Sequence, residues 1–330
     1  MLAKRIGLDL GTCRLRVHVK GEGTVLDEPS LVAWDRGRSR VLAVGHEASP
    51  GRLDPRAELV RAVSAGEIAD IALAGALLGH LIGRVDGRHR VFRPEVVVCV
   101  PSGATAPQRC ALAGAALGAG ARQAWLVDAP LAAAIGAELP IAGREAVALC
   151  DLGGGATRLV AIVENGVLAA RSLPVGGEDL DMAVAAALLS GPGLTVGRAT
   201  AEELKVAVGV AAAGPLTVEV RDAGPGATGS RRVEVAPEVV SGALQEPLIR
   251  IADALADFLS EVTAMGVSFA QKTVLLTGGG AQLRGLDRFL ASRAGTRVAV
   301  AAAPATCAVR GAALALDEFA VLKRHQGYVR

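Results

Sequence analysis

The stretch LCDLGGGATRLV, Leu149 to Val160, sets an apolar run, a carboxylate, three consecutive glycines, a small residue and a threonine ahead of a second apolar run. Such a string reads as strand, tight turn, strand. Glycines without Cβ atoms let the backbone close on a bound group, and successive amides can then point at its oxygens, so a phosphate is the natural guest. A carboxylate at the strand end would repel that phosphate directly and instead suits a metal ion or its water shell. A plain hairpin would use the same string. The constraint comes from a second copy: DLGTCRLRVHVKGEGTVL from Asp9 lies over DLGGGATRLVAIVENGVL from Asp151 without a gap, 142 positions on. Asp9, Leu10 and Gly11 fall on Asp151, Leu152 and Gly153, and Val25-Leu26 on Val167-Leu168. Repetition of this kind implies two halves of one duplicated architecture. Two phosphate-facing hairpins on opposite halves make a cleft, and a nucleotide is long enough to span it.

With 330 residues, 51% of them hydrophobic, the chain can bury a large core and is expected to form two domains or lobes. A net charge of +2 gives no general attraction to nucleic acid, which is therefore not expected as a partner. Five cysteines (Cys13, Cys99, Cys110, Cys150, Cys307) are scattered without CxxC spacing and read as small core residues in a reducing cytosol. MLAKRIGLDL runs straight into the first strand, which leaves no room for a signal peptide, and no apolar stretch has the character of a membrane span. A cytoplasmic protein is the expectation.

Strands alternate with helices along the chain, which specifies an α/β fold. The pattern predicts a hairpin over 5–20, strands over Thr24 to Trp34, Val41 to Val44, Val96 to Val100 and Trp125 to Val127, and a strand running into glycines over Val274 to Gly280. Apolar residues at helical spacing predict helices over Ala57 to Val63, Gly66 to Arg84, Pro107 to Ala119, Pro130 to Ala137, Gly176 to Leu189, Ala199 to Val210 and Gln245 to Met265. A small polar sheet with a Gly-rich loop at Asp222 to Ser230 precedes the last of these.

DLGT at 9–12, DEPS at 27–30, VLAVGHEA at 41–48, GEIAD at 66–70, RPEVVVCVPSG at 93–103, PLAAAIGA at 130–137, DLGGGATR at 151–158, VGGEDLD at 175–181, TAEELK at 200–205 and LTGGGAQLRGLD at 276–287 together resemble the MreB group of bacterial actins. That group sits within the actin, hexokinase and heat-shock-chaperone ATPase superfamily. The resemblance covers nearly the whole chain. It implies an actin-like fold of two duplicated α/β domains, each with two subdomains, and ATP with Mg²⁺ in the cleft between them. The first domain would span 1–140, with a small subdomain at about 31–64 and a C-terminal helix at about 310–330 packing back on it. The second would span 141–309, with its small subdomain at about 182–244.

By the same resemblance Asp9, Gly11, Thr12, Cys13 and Arg14 form the first phosphate loop, and Asp151, Gly153, Gly154, Gly155 and Ala156 the second, with Asp9 and Asp151 reaching the metal through water. Glu202 and Lys205, one helical turn apart, would flank ribose and adenine, the alternative being a solvated ion pair. Gly278, Gly279 and Gly280 would close the adenine side. Departures from the family pattern carry information too. Where members have a glutamate that positions the attacking water, just before the proline of PMAAAIG, this chain has Ala129. A methyl group cannot orient water, which costs on the order of a hundredfold or more in rate, and the neighbouring Asp128 is a substitute that geometry disfavours, since adjacent residues on a strand or helix point in different directions. Thr12-Cys13-Arg14 stands for the usual Thr-Ala-Asn, and Gly153-Gly154-Gly155-Ala156 for the usual GGGT. Nucleotide binding with weak or absent hydrolysis is the expectation, and the chain is at most a slow ATPase.

The resemblance implies a filament-forming cytoskeletal protein that lies on the inner face of the cell membrane and organises cell-wall synthesis and cell shape with morphogenesis partners. A non-cycling scaffold or regulatory protein, for example in sporulation wall formation, is the alternative. A small-molecule kinase of the same superfamily ranks below both, for want of a substrate-binding insertion and a catalytic acid. Val91-Phe92, set among Arg84, Arg88, Arg90 and Arg93, occupies the place where members of the group insert an apolar pair into anionic lipid. Phe92 tucked into the core is the competing expectation.

Overall fold

The computed structural model describes residues 3–48, 57–86, 93–210, 216–221 and 230–316. The chain opens with an antiparallel meander of β1 (Arg5–Leu10), β2 (Arg14–Val19) and β3 (Gly23–Pro29). A separate sheet follows, made of β4 (Val32–Asp35), β5 (Arg40–Val44) and β6 (Glu58–Val60), and then a short hairpin, β7 (Val63–Ser64) and β8 (Glu67–Ile68). Helix α1 (Ile71–Asp86) leads to β9 (Glu95–Val100), and α2 (Ala106–Gly118) to β10 (Gln123–Asp128). Both of these strands join the meander in parallel, giving the order β10-β9-β1-β2-β3. Thr105 caps α2: its hydroxyl accepts from the Gln108 amide while the Gln108 side chain accepts from the Thr105 amide.

Helix α3 (Ala129–Gly136) carries the chain into a second half built to the same plan. There β11 (Ala146–Leu152), β12 (Thr157–Val163) and β13 (Gly166–Leu173) repeat the meander. Helices α4 (Gly177–Ser190) and α5 (Arg198–Val208), a ribbon of β14 (Leu216–Arg221) and β15 (Ser230–Val235), and the long α6 (Pro237–Ala264) follow. β16 (Phe269–Thr277), α7 (Leu286–Ala294) and β17 (Arg297–Val300) complete the sheet β13-β12-β11-β16-β17. The duplication extends to register, because Asp9 faces Arg16 across β1 and β2 as Asp151 faces Arg158 across β11 and β12.

Finally α8 (Cys307–Leu314) returns to the first half and packs on β1 and against α3. These two helices form the core that joins the sheets: Val97, Trp125 and Leu131 share a cluster with Leu149, Ile162 and Ala312. They approach backbone to backbone, since a Cβ built at Gly136 would overlap the carbonyl of Cys307 and one at Gly311 the carbonyl of Ala132.

Four expectations fail locally. The helix expected from Gly66 begins only at Ile71, because Glu67–Ile68 pairs with Val63–Ser64 in the β7–β8 hairpin. Ala57 to Val63 holds strand β6 and the first residue of β7, with no helix; seven residues are too few for spacing to separate the two periods, and the pairing of β6 with β4 decides. Thr24 to Trp34 is two strands in different sheets, broken after Pro29. The helix expected from Gln245 begins at Pro237 and runs through Pro247. Val91-Phe92, most of the loop at Asp222 to Ser230 and residues 317–330 of the expected C-terminal helix lie outside the described residues.

Candidate functional site

A cavity of about 770 Å³ opens between the two halves. The turn after β1 brings Asp9, Gly11, Thr12, Cys13 and Arg14 to it, and the turn after β11 brings Asp151, Gly153, Gly154, Gly155 and Ala156. Glu202 and Lys205 reach it from α5, and Gly278, Gly279 and Gly280 from the end of β16. Every position assigned to nucleotide contact thus lines one space. The two turns share a geometry: the Gly11 amide donates to the Arg14 carbonyl at 3.0 Å, and the Gly153 amide to that of Ala156 at 2.9 Å.

Packing between the halves accounts for two of the three central glycines. A Cβ on Gly154 would strike the Cys13 sulfur, and one on Gly155 would come within 2.8 Å of Ala65 Cα and Thr12 Oγ1. At Gly279, by contrast, a Cβ would meet nothing within 4 Å. The first amides of α4 are already committed, with Gly177 and Glu178 donating to the carbonyls of Gly153 and Gly154 at 2.9 and 2.8 Å. The β7–β8 hairpin ties the two turns together: the Gly66 amide donates to Thr12 Oγ1 at 3.0 Å, and Arg158 donates to the Gly66 carbonyl.

Burial pushes the Asp9 carboxyl up to about 6; Arg16 and Arg158 counter this while Asp151 adds to it. A carboxylate whose charged form burial disfavours is one that a nearby cation would stabilise. Asp151 accepts from Thr277 Oγ1 at 3.0 Å. No group of three His, Cys, Asp or Glu side chains able to hold a metal occurs among the described residues, so a divalent ion here would rest on Asp9 and Asp151, water and the ligand's own phosphates. The residues fit Mg²⁺ in that form.

Lys205 turns inward to Asp181 at 2.6 Å and donates to the Gly177 carbonyl at 3.2 Å, so it forms its ion pair with Asp181 and not with Glu202. Arg14 lines the cavity but bonds Asp27, Nε to Oδ1 at 2.7 Å. Ala129 lines the cavity as well. Asp128 does not: its carboxylate is held by Arg109 of α2.

Several groups went unrecognised in the sequence. Glu178 Oε1 accepts from Arg61 and the Cys13 thiol of the first half and from Arg198 of the second, a cluster that crosses the cleft. Burial alone would raise the Glu178 carboxyl, but the hydrogen bonds from Arg198 and Arg61 outweigh it and hold it below the usual range. Burial and then Glu178 push the Cys13 thiol up to about 11, so it stays protonated. Arg16 and Arg158 were legible in principle, since the repeat that superposes the aspartates superposes them too.

A family model described as MreB/Mbl protein matches residues 3–324. The chain belongs to the MreB/Mbl family. It is 37% identical over 327 residues to the "Cell shape-determining protein MreB" of Escherichia coli K12, covering 96% of this chain and 94% of that one. It is 32% identical over 333 residues to the "Cell shape-determining protein Mbl" of Bacillus subtilis, covering 99% of each. Among solved structures it is similar to MreB5 of Spiroplasma citri bound to ADP, with a TM-score of 0.82 at 24% identity, covering 98% of this chain and 99% of that one. The MamK double helical filament matches with a TM-score of 0.75 at 20% identity over 94% of this chain and 98% of that one. The fold is actin-like.

Proposed function

We propose that this chain binds ATP with Mg²⁺ between its halves and assembles with copies of itself into filaments that organise cell-wall synthesis and cell shape. The duplicated Asp-turn cleft carries this reading: its volume suits a nucleotide, and both aspartates converge on it with three glycine turns. Mg²⁺ would screen the phosphate charge, and Asp9 and Asp151 would hold its water shell. Relatives named for determining cell shape, and the filament formed by MamK, support assembly. We place the two domains at 1–140 and 141–309, with the filament in the cytoplasm and peripheral on the anionic inner membrane surface through Val91 and Phe92, where morphogenesis proteins join it. Among the described residues no helix is long and apolar enough to cross a membrane.

Hydrolysis is proposed to be slow, because Ala129 occupies the place of the water-positioning carboxylate and Asp128 is engaged by Arg109. That observation favours a second reading, a scaffold that holds nucleotide without cycling. Fluorescent ATP titration with Mg²⁺ tests the site. Gly279→Val adds a side chain into open cavity space and is expected to weaken binding at least tenfold while leaving the fold intact. Equal affinity in the two proteins, or no binding to either, would overturn the assignment.

A further inference from the structure

We propose that Arg16 and Arg158 are built-in counter-charges of the cleft, which let this chain hold a nucleoside triphosphate with little dependence on a divalent cation. The inference rests on the nucleotide-binding reading and deepens it. In each half one sheet row carries an aspartate with an arginine directly across on the neighbouring strand: Asp9 with Arg16, and Asp151 with Arg158. Residues opposite each other in adjacent strands project from the same face, so each arginine leaves the sheet on the side of its aspartate, and the charges of both arginines act on the Asp9 carboxyl. All four line the cavity.

Neither arginine is neutralised by an exclusive partner. Asp27, across from Arg16 on β3, is 3.2 Å from Arg16 Nε but is shared with Arg14, so the two arginines exceed it by one charge. Arg158 spends an Nη2 hydrogen on the neutral carbonyl of Gly66, which leaves its charge to the cavity. Six cationic side chains line the space among the described residues, against five carboxylates, with Glu178 standing behind Arg61 and Arg198. The balance is therefore near zero with no metal present. Without Arg16 and Arg158 it would be about two units negative, the charge that one divalent cation cancels. Guanidinium groups stay charged at any working pH and match the oxygens of a phosphate in fork geometry.

ATP binding measured by calorimetry with excess Mg²⁺ and again with EDTA tests this, using wild type, Arg158→Gln and the double variant Arg16→Leu/Arg158→Leu. Wild type is expected to lose less than about tenfold in affinity on chelation, and the double variant about a hundredfold more than wild type, on the order of tenfold for each charge-assisted contact removed. Arg158→Gln keeps a donor for Gly66 while removing the charge, so it gives the intermediate loss even if the double variant does not fold. Wild type that binds with Mg²⁺ but loses ATP in EDTA as steeply as the variants overturns this inference and leaves the nucleotide site standing. Absence of ATP binding to wild type under both conditions overturns both.

Discussion

Replacing Glu178 by glutamine should speed nucleotide release, because that one carboxylate oxygen gathers Arg61 and Cys13 from one wall of the cleft and Arg198 from the other. Only the Arg61 contact crosses with a full charge pair, and its partners are 31% and 20% exposed, so the pair is neither surface-weak nor fully desolvated. A charge-assisted hydrogen bond in such surroundings contributes about 1 to 2 kcal/mol after solvent screening. The amide replacement keeps an acceptor but not the charge, and loses that amount or slightly less. Glu178 also sits in the first turn of α4, where losing a negative charge costs about 0.5 kcal/mol, too little to dominate. At about 1.4 kcal/mol per factor of ten, the dissociation rate should rise about tenfold. Stopped-flow displacement of a fluorescent ATP analogue by excess ATP reads it directly. Acidification should act in the same direction: a carboxylate with a depressed pKa stabilises the closed form above its unfolded pKa, and the contribution fades as pH falls from about 4.5 downwards. A release rate within twofold of wild type for Glu178→Gln would show that the contact does not hold the two walls together.

Ala129→Glu should restore a carboxylate at the cavity wall and raise steady-state phosphate release from ATP by about tenfold or more; wild type already turning over at the variant's rate would mean that another group positions the water. Gly311→Ala should lower stability by about 3 kcal/mol, the upper end for overpacking, because the added methyl meets the Ala132 carbonyl with unyielding backbone on both sides. The matched control Gly114→Ala, where the methyl meets nothing within 4 Å, should raise stability by about 0.5 to 1 kcal/mol. Thermal melts of the pair separate the two, and equal melting temperatures would refute the close crossing.

The part of the fold that repeats was the part legible in the sequence. Asp9 and Asp151 could be found because one shift superposes two hairpins, and the structure brings both turns to one cavity. Residues whose role depends on the facing half carried no such mark. Nothing local in RAVS says that Arg61 meets Glu178, 117 positions away, and Asp181 becomes the partner of Lys205 only because α4 and α5 pack together. Short segments were the weakest: Ala57 to Val63 has apolar residues at either period, and only its pairing with β4 makes it a strand. Arg16 and Arg158 form a middle case: the repeat superposes them, but an arginine on a strand reads as solvent-facing until its sheet row is seen to line the cavity.

The crossing of α3 and α8 makes the molecule a lever with a pinned fulcrum. The chain passes into the second half just after Gly136 and returns just before Cys307, so both covalent connections leave from the point where the helix backbones touch. Main-chain atoms in contact can neither be squeezed closer nor, with both connections anchored there, be drawn far apart. The halves can therefore swing but not slide. Small rotations at a buried, alanine-lined pivot become larger displacements away from it, so contacts that cross the cleft, such as Arg61 with Glu178, are where any occupant would gain leverage over the angle between the halves.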